Sequence, residues 1–108
     1  MAHQDDEESS IFDHRRLDTV LHSRLRLAIV AALAGCQSMD FTSLRDVVGA
    51  TDGNMTTHLT KLEEAEYISI HKEFVERKPR TSIRLTEKGK EALAAYLATL
   101  DGFLRTTR

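Results

Sequence analysis

Hydrophobic positions along this chain change period four times, and each change marks an element. From Asp13 the apolar residues Leu17, Val20 and Leu21 form a helical ridge. After His22 and Ser23 the run LRLAIVAALAG predicts a second, more deeply apolar helix with Gly35 as its C-cap. Met39-Asp40-Phe41 reads as a very short strand. Thr42 then caps a two-turn helix through Val48, with Leu44, Val47 and Val48 inward and Gly49 at its end. Thr51 opens another helix, which Asn54 can support by a return capping bond, a weaker form of the capping box. In it Met55, Leu59 and Leu62 make one apolar stripe, while Asn54, Thr56, Thr57, Thr60 and Lys61 lie on other faces. Gly49-Ala50 is too short a link for two parallel helices, so the pair meets steeply as a helix-turn-helix.

Beyond this pair the period drops to two. Tyr67 to Phe74 and Thr81 to Leu85 alternate with β-branched and aromatic residues, and the chain's single proline, Pro79, argues that Val75 to Arg80 is a loop or edge. The expectation is a β-hairpin with a basic tip. Thr86 caps a last helix, in which Leu93, Tyr96, Leu97, Leu100, Phe103 and Leu104 recur at spacings of three and four, as in a short coiled-coil seam. This stripe and the N-terminal ridge from Phe12 through Leu17 to Leu21 are expected to meet across a two-fold dimer interface. The alternative is packing of the stripe on the protein's own domain. The fold class is therefore mainly α with a small β-hairpin.

Length and charge narrow the picture. A chain of 108 residues, 41% hydrophobic and 30% charged, suffices for one domain without metals or disulfides. The run Leu27 to Gly35 is too short to span a bilayer and no signal peptide is seen, so the expected location is cytoplasmic, with no membrane partner. The net charge of -2 argues at first against nucleic acid. Asp5, Asp6, Glu7 and Glu8, however, lie in a polar segment over residues 1–10 that reads as a disordered tail, and without them the remainder, residues 11–108, carries +2.

On the outer face of the Thr51 helix, threonines replace the Glu, Lys and Arg of an ordinary solvated helix, at a cost in helix propensity. Short polar side chains and Gly53 let such a helix approach a nucleic-acid backbone, and its N-terminal amides suit a phosphate. Threonine-rich faces also occur in proteins that bind nothing, so this face alone does not decide. Cys36 is read as structural, His58 as a hydrogen-bonded packing residue, and Arg15, Arg16, Arg24 and Arg26 as solvated or ion-paired positions. His14, His22 and His71 show no i, i+4 metal spacing. Nothing matches a nucleophile with its base, a phosphate-binding glycine loop or a convergent carboxylate pair, so neither an enzyme, a cofactor nor a metal is expected.

Three segments carry a resemblance. HSRLRLAIVAAL resembles the first core helix of small regulators of the MarR and ArsR types, DFTSLRDVVGATDGNMTTHLTKLEEAEYI their helix-turn-helix, and KEFVERKPRTSIRLTEKGKEAL their wing and following helix. The likeness covers about residues 17–100 and is nearest to compact winged helix-turn-helix regulators with one long helix after the wing. It implies a homodimeric, sequence-specific DNA-binding transcriptional regulator, most simply a repressor, on a palindromic operator. By the same resemblance Gly53, Asn54, Thr56, Thr57 and Lys61 would face the major groove. Arg77, Lys78 and Arg80 would reach the backbone or the adjacent minor groove.

This chain departs from the pattern in three places. The segment Ala65-Glu66-Tyr67 lacks the usual C-cap glycine, so either Glu66 takes a left-handed conformation at a cost of about 1 kcal/mol or the helix ends differently. The recognition helix contains no Arg, and no metal-sensing cysteine pair exists. A small-molecule effector between the dimer helices is a further possibility, resting on an apolar interface with Tyr96 and Phe103 nearby that ordinary dimer packing explains equally well. The competing function is a winged-helix protein-interaction module without DNA affinity, motivated by the near-neutral charge.

Overall fold

The first core helix, α1 (Arg24–Ala34), is the hub of the molecule: it touches both helices of the helix-turn-helix, the middle strand of the sheet and the C-terminal helix. Ile29, Val30 and Leu33 on it are fully buried. Ser23 caps its N-terminus by accepting from the Arg26 amide. The structure is a computed structural model and describes residues 12–106; the acidic segment read as a tail over residues 1–10 lies outside the described residues.

After α1 come β1 (Met39–Asp40), α2 (Phe41–Val48) and α3 (Asp52–Glu64). Asp40, rather than Thr42, caps α2: its carboxylate accepts from the Ser43 amide at 2.7 Å, which starts the helix one residue before Thr42. The Ser43 hydroxyl, then that amide bond and the nearby Arg80 charge, keep the Asp40 carboxyl below its ordinary range. Gly49 turns the chain with φ +71°, a left-handed conformation that suits glycine, and the Ala50 amide closes back on the Arg45 carbonyl at 3.1 Å. Thr51 then caps α3. Met55, Leu59 and Leu62 are buried as the periodicity requires, against α1 and the sheet.

The sheet is antiparallel in the order β1-β3-β2, with β2 spanning Ile68–Val75 and β3 Lys78–Leu85. β3 is longer than the alternation predicts and β2 reaches one residue further toward the tip, because only Glu76 and Arg77 form the turn, with φ +53° and +67°. Two positive φ values are what a tight hairpin needs to match strand twist, and here they fall on residues other than Asn or Gly. Pro79 therefore lies inside β3, opposite Phe74. It is tolerated because β1 pairs only with Ser82 and Ile83, which leaves the other edge of β3 open at Pro79.

The expected helix from Asp13 to Leu21 is absent. That segment holds only a 3-10 turn, His14–Arg16, followed by irregular turns. Side chains explain this: Asp13 accepts from the Arg15 amide, and Asp18 accepts from the amides of Val20 and Leu21, so local bonds to carboxylates replace a helical ladder. The Asp18 carboxylate also accepts the Tyr67 hydroxyl, which ties this segment to the start of the wing. Partial burial and that carboxylate push the Tyr67 hydroxyl up to about 12.

The C-terminal helix α4 (Glu87–Thr106) is capped by Thr86, whose hydroxyl accepts from the Gly89 amide at 3.0 Å. The first turn of α4 presses onto the chain at Tyr67: a Cβ on Gly89 would sit 2.2 Å from the Tyr67 carbonyl oxygen and 2.6 Å from a Leu85 methyl. Just before this joint, Glu66 takes φ +65°, the left-handed alternative, and its carbonyl accepts the Thr86 hydroxyl at 2.7 Å. Gly89→Ala is therefore expected to lower stability by about 2–4 kcal/mol, since a backbone oxygen cannot yield as a flexible side chain would. Urea denaturation measures this, and a midpoint equal to that of the parent protein would contradict the close joint.

Candidate nucleic-acid interface

Helix α3 has four sides. The buried stripe faces the core; Gly53, Thr57, Thr60, Lys61 and Glu64 point outward; Asn54 with His58 lies toward α1, and Thr56 with Glu63 toward the wing. All five candidates on this helix, Gly53, Asn54, Thr56, Thr57 and Lys61, are exposed. Arg45 locks the helix pair from outside, reaching Asp52 at 2.7 Å and Asp46 at 3.1 Å. As an exposed pair this contributes no more than about 1 kcal/mol, so it orients more than it stabilises.

Hydrogen bonding changes what the threonines can do. The Thr56 hydroxyl donates to the Asp52 carbonyl at 3.0 Å, Thr57 to Gly53 at 3.1 Å, and Thr60 to Thr56 at 2.9 Å. With their protons committed to the preceding turn, these hydroxyls present lone pairs and methyl groups outward. They suit base donors and thymine methyls, whereas donation to a phosphate would require giving up the bond to the helix. The carboxylates Glu63 and Glu64 fall in the last turn, while Asp52 in the first turn is paired with Arg45, so the surface most compatible with a polyanion is the first two turns.

On the side toward α1, Ser23, Arg24, Gly49, Asn54 and His58 line a depression of about 560 Å³. Arg24 is an exposed cation here that sequence reasoning grouped with generic solvated positions; its place directly after the Ser23 cap was the available signal. Arg26, by contrast, is half-buried and engaged within the protein. Its guanidinium donates to the Val20 carbonyl at 2.6 Å and to His58 Nδ1 at 2.9 Å, so His58 is a packing residue held between α1 and α3. Partial burial, then the charges of Arg26 and Lys61, hold the His58 pKa below 6.5.

On the other side a cleft of about 600 Å³ separates α3 from the wing, lined by Phe41, Thr56, Thr60, Ile70, Lys72 and Thr81 among others. Residues His71 to Arg80 are all exposed. Lys78 and Arg80 alternate onto the face opposite Lys72, and Arg77 occupies the tip. The structure thus spreads the helix candidates over the outward face of α3 and its two flanks, while Lys78 and Arg80 lie on the wing face turned away from the cleft and Arg77 lies in the turn. Lys72, not among the candidates from sequence, lines the cleft beside the helix, as no wing candidate does; strand alternation from Ile70 was the signal.

The dimer candidates divide differently. Leu21 and Tyr96 are buried in the protein's own core, and Tyr96 is bonded to His22 at 3.1 Å, so neither has surface to offer a partner. Leu17, Leu93, Leu100 and Phe103 are half-buried, Phe103 against Phe12 at 6.1 Å between ring centres, so the N-terminal ridge and α4 meet within one chain. Leu97 and Leu104 remain exposed, at 51% and 70%. Among the described residues no group of three His, Cys, Asp or Glu could hold a metal ion, and no helix is long and apolar enough to cross a membrane.

A recognition helix set on a three-helix core, with a two-stranded wing beside it, defines a winged helix-turn-helix. Residues 25–104 match the family model of the winged helix DNA-binding domain, and the chain belongs to that family, one of DNA-binding domains and not of enzymes. An uncharacterized protein of Methanocaldococcus jannaschii is 33% identical over 78 residues, covering 72% of this chain and 85% of that protein. A transcriptional regulator homologue from Pyrococcus horikoshii OT3 has a similar structure, with TM-score 0.79 at 24% identity over 94% of this chain and 97% of the other. A MarR-family transcriptional regulator from Silicibacter pomeroyi shares the fold with TM-score 0.61 at 12% identity, over 82% of this chain and 60% of that one.

Because the folded His58 pKa lies below 6.5, the unfolded chain binds more protons between the two values. Stability from this site is complete above that range and is lost as pH falls toward the folded value. Urea titrations from roughly pH 7.5 to roughly pH 5.5 should show a steeper loss for the parent protein than for His58→Gln. Parallel pH profiles would contradict a half-buried, neutral His58.

Proposed function

We infer that the chain is a sequence-specific, DNA-binding transcriptional regulator that acts in the cytoplasm as a homodimer, most simply a repressor that occludes a promoter. The observation that carries this reading is the outer face of α3: small, hydrogen-bonding and free of long side chains over its first two turns, on a family fold whose role is DNA binding. Helix α3 would lie in the major groove with Gly53, Asn54, Thr56, Thr57 and Lys61 at the bases and adjacent phosphates. The wing, with Arg77, Lys78 and Arg80, would follow the backbone into the minor groove.

Dimerisation would supply what the arginine-free helix lacks. Two copies joined along Leu93, Leu97, Leu100, Phe103 and Leu104 of α4 would bury the exposed leucines. They would read a palindrome whose half-sites lie about one helical turn, roughly 34 Å, apart. The second binding event becomes intramolecular, which compensates for modest contacts in each half-site. A small-molecule effector is compatible with a depression of about 680 Å³ between the N-terminal segment and α4, where Arg15, Asp18, Tyr67, Lys88 and Tyr96 meet.

One observation favours a protein-interaction module instead: Asp52, Glu63 and Glu64 place carboxylates on exposed parts of α3 itself. Substitutions separate the two readings. For a DNA reader, Arg77→Ala with Arg80→Ala weakens binding to all duplexes and lowers the salt slope by about two, one for each phosphate no longer neutralised. Thr57→Val, which keeps the shape and removes the acceptor, relaxes sequence preference while leaving that slope unchanged. Anisotropy titrations at several salt concentrations read both effects. A double variant with parental affinity and slope would overturn the wing assignment, and a Thr57→Val protein with parental preference would overturn the helix assignment.

A further inference from the structure

The wing carries an apolar pair that neither the core nor the charged wing residues account for. Phe74 is 77% exposed, the most exposed large hydrophobic side chain among the described residues, and Pro79 lies directly across from it. The pleat fixes which way they face. Ile70 and Ile83 are partners that turn toward the core, Lys72 and Thr81 are the next pair on that face and line the cleft beside α3, and Phe74 with Pro79 is the pair after that. The wing thus turns toward the recognition-helix side an isoleucine pair at its base, a cation with a hydroxyl, and an aromatic ring against a proline near its tip.

A soluble protein gains nothing from holding a phenylalanine in water at the end of a ribbon, so this pair is suited to a surface that covers it. Its surroundings say which surface. Lys72 stands below it on the same face, Arg77 lies beyond it at the tip, and Lys78 and Arg80 line the reverse face of the same ribbon, so the apolar pair sits on a ribbon rich in cations. An apolar protein partner would not select those charges, whereas the minor groove of DNA offers anionic phosphates around an interior of sugars and base edges. Glu73 is paired across the strands with Arg80, and Glu76 lies in the turn; the local balance remains positive.

We propose that Phe74, backed by Pro79, is an apolar wedge that enters the minor groove and partly unstacks a base step, so that the wing deforms DNA as well as neutralising it. The proposal rests on the DNA-binding reading above. It adds a source of sequence preference outside the recognition helix, because pyrimidine–purine steps open most easily. Lys72 would hold the phosphate strand that lies between helix and wing, in the cleft its side chain lines.

The test uses the full chain and duplexes of about thirty base pairs that it selects from a random pool, with 2-aminopurine replacing adenines one at a time. Binding of the parent protein should brighten 2-aminopurine at one step in each half-site. End-labelled duplexes should report a bend in the range of roughly 20–90° by energy transfer. Phe74→Ala should abolish the brightening, reduce the bend and weaken binding about tenfold, with the salt slope unchanged because no charge is removed. Phe74→Leu, which keeps an apolar wedge, should retain most of the bend. Both variants replace an exposed residue, and unchanged thermal midpoints confirm that they fold.

If Phe74→Ala binds, bends and brightens as the parent does, the wedge is overturned while DNA binding stands. A variant that instead loses self-association, with bending intact, makes the patch a contact between copies and also overturns the wedge. If the parent protein selects no duplex, the wedge and the regulatory reading fall together.

Discussion

The molecule depends on the burial of one narrow stripe, Met55, Leu59 and Leu62, against α1 and the sheet. Each of these side chains contributes roughly 1.5–3 kcal/mol by leaving water, an amount comparable with a large part of a small domain's net stability. Because the stripe is only one residue wide along the helix, most of the surface of α3 is left to solvent. The recognition face is what remains once that minimum anchorage is met.

Around this anchor the chain fixes the angle of the helix by backbone features at either end. Gly49 and the Thr51 cap set where α3 begins, and the left-handed Glu66 sets where it stops. Beyond Glu66 the Tyr67 backbone is clasped from two sides: its carbonyl accepts the Thr86 amide at 3.0 Å and lies beneath Gly89. The Tyr67 side chain reaches the opposite way, to Asp18. One residue thereby joins recognition helix, wing, C-terminal helix and N-terminal segment.

Much of this was legible in the residues. Periodicity and caps identified α1, α3, the hairpin and α4, and the absence of glycine at Glu66 left a positive φ there as one of two outcomes. What escaped were features decided by side chains or by the other strand. The Asp13 to Leu21 segment has helical spacing, but Asp13 and Asp18 capture the amides that a helix would use. The wing read as a long loop because Glu76-Arg77 lacks the Asn-Gly signature, yet pairing over Phe74, Val75, Lys78 and Pro79 carries the strands to the turn. The interface candidates on α4 were one set in the sequence; Tyr96 belongs to the core while Leu97 and Leu104 do not, a difference made by how the N-terminal segment lies across the helix. Threonines on α3 were visible, but the commitment of their protons to the preceding turn was not.

Joint reading of DNA by α3 and the wing can be decided by fluorescence anisotropy of the parent protein on random-sequence duplexes at two salt concentrations, with sequencing of the bound fraction. A DNA reader of this kind should give binding that weakens steeply with salt and an enriched palindrome with half-sites about one helical turn apart. Absence of binding even at low salt, or binding with no enriched sequence, would contradict it and direct attention to a protein partner.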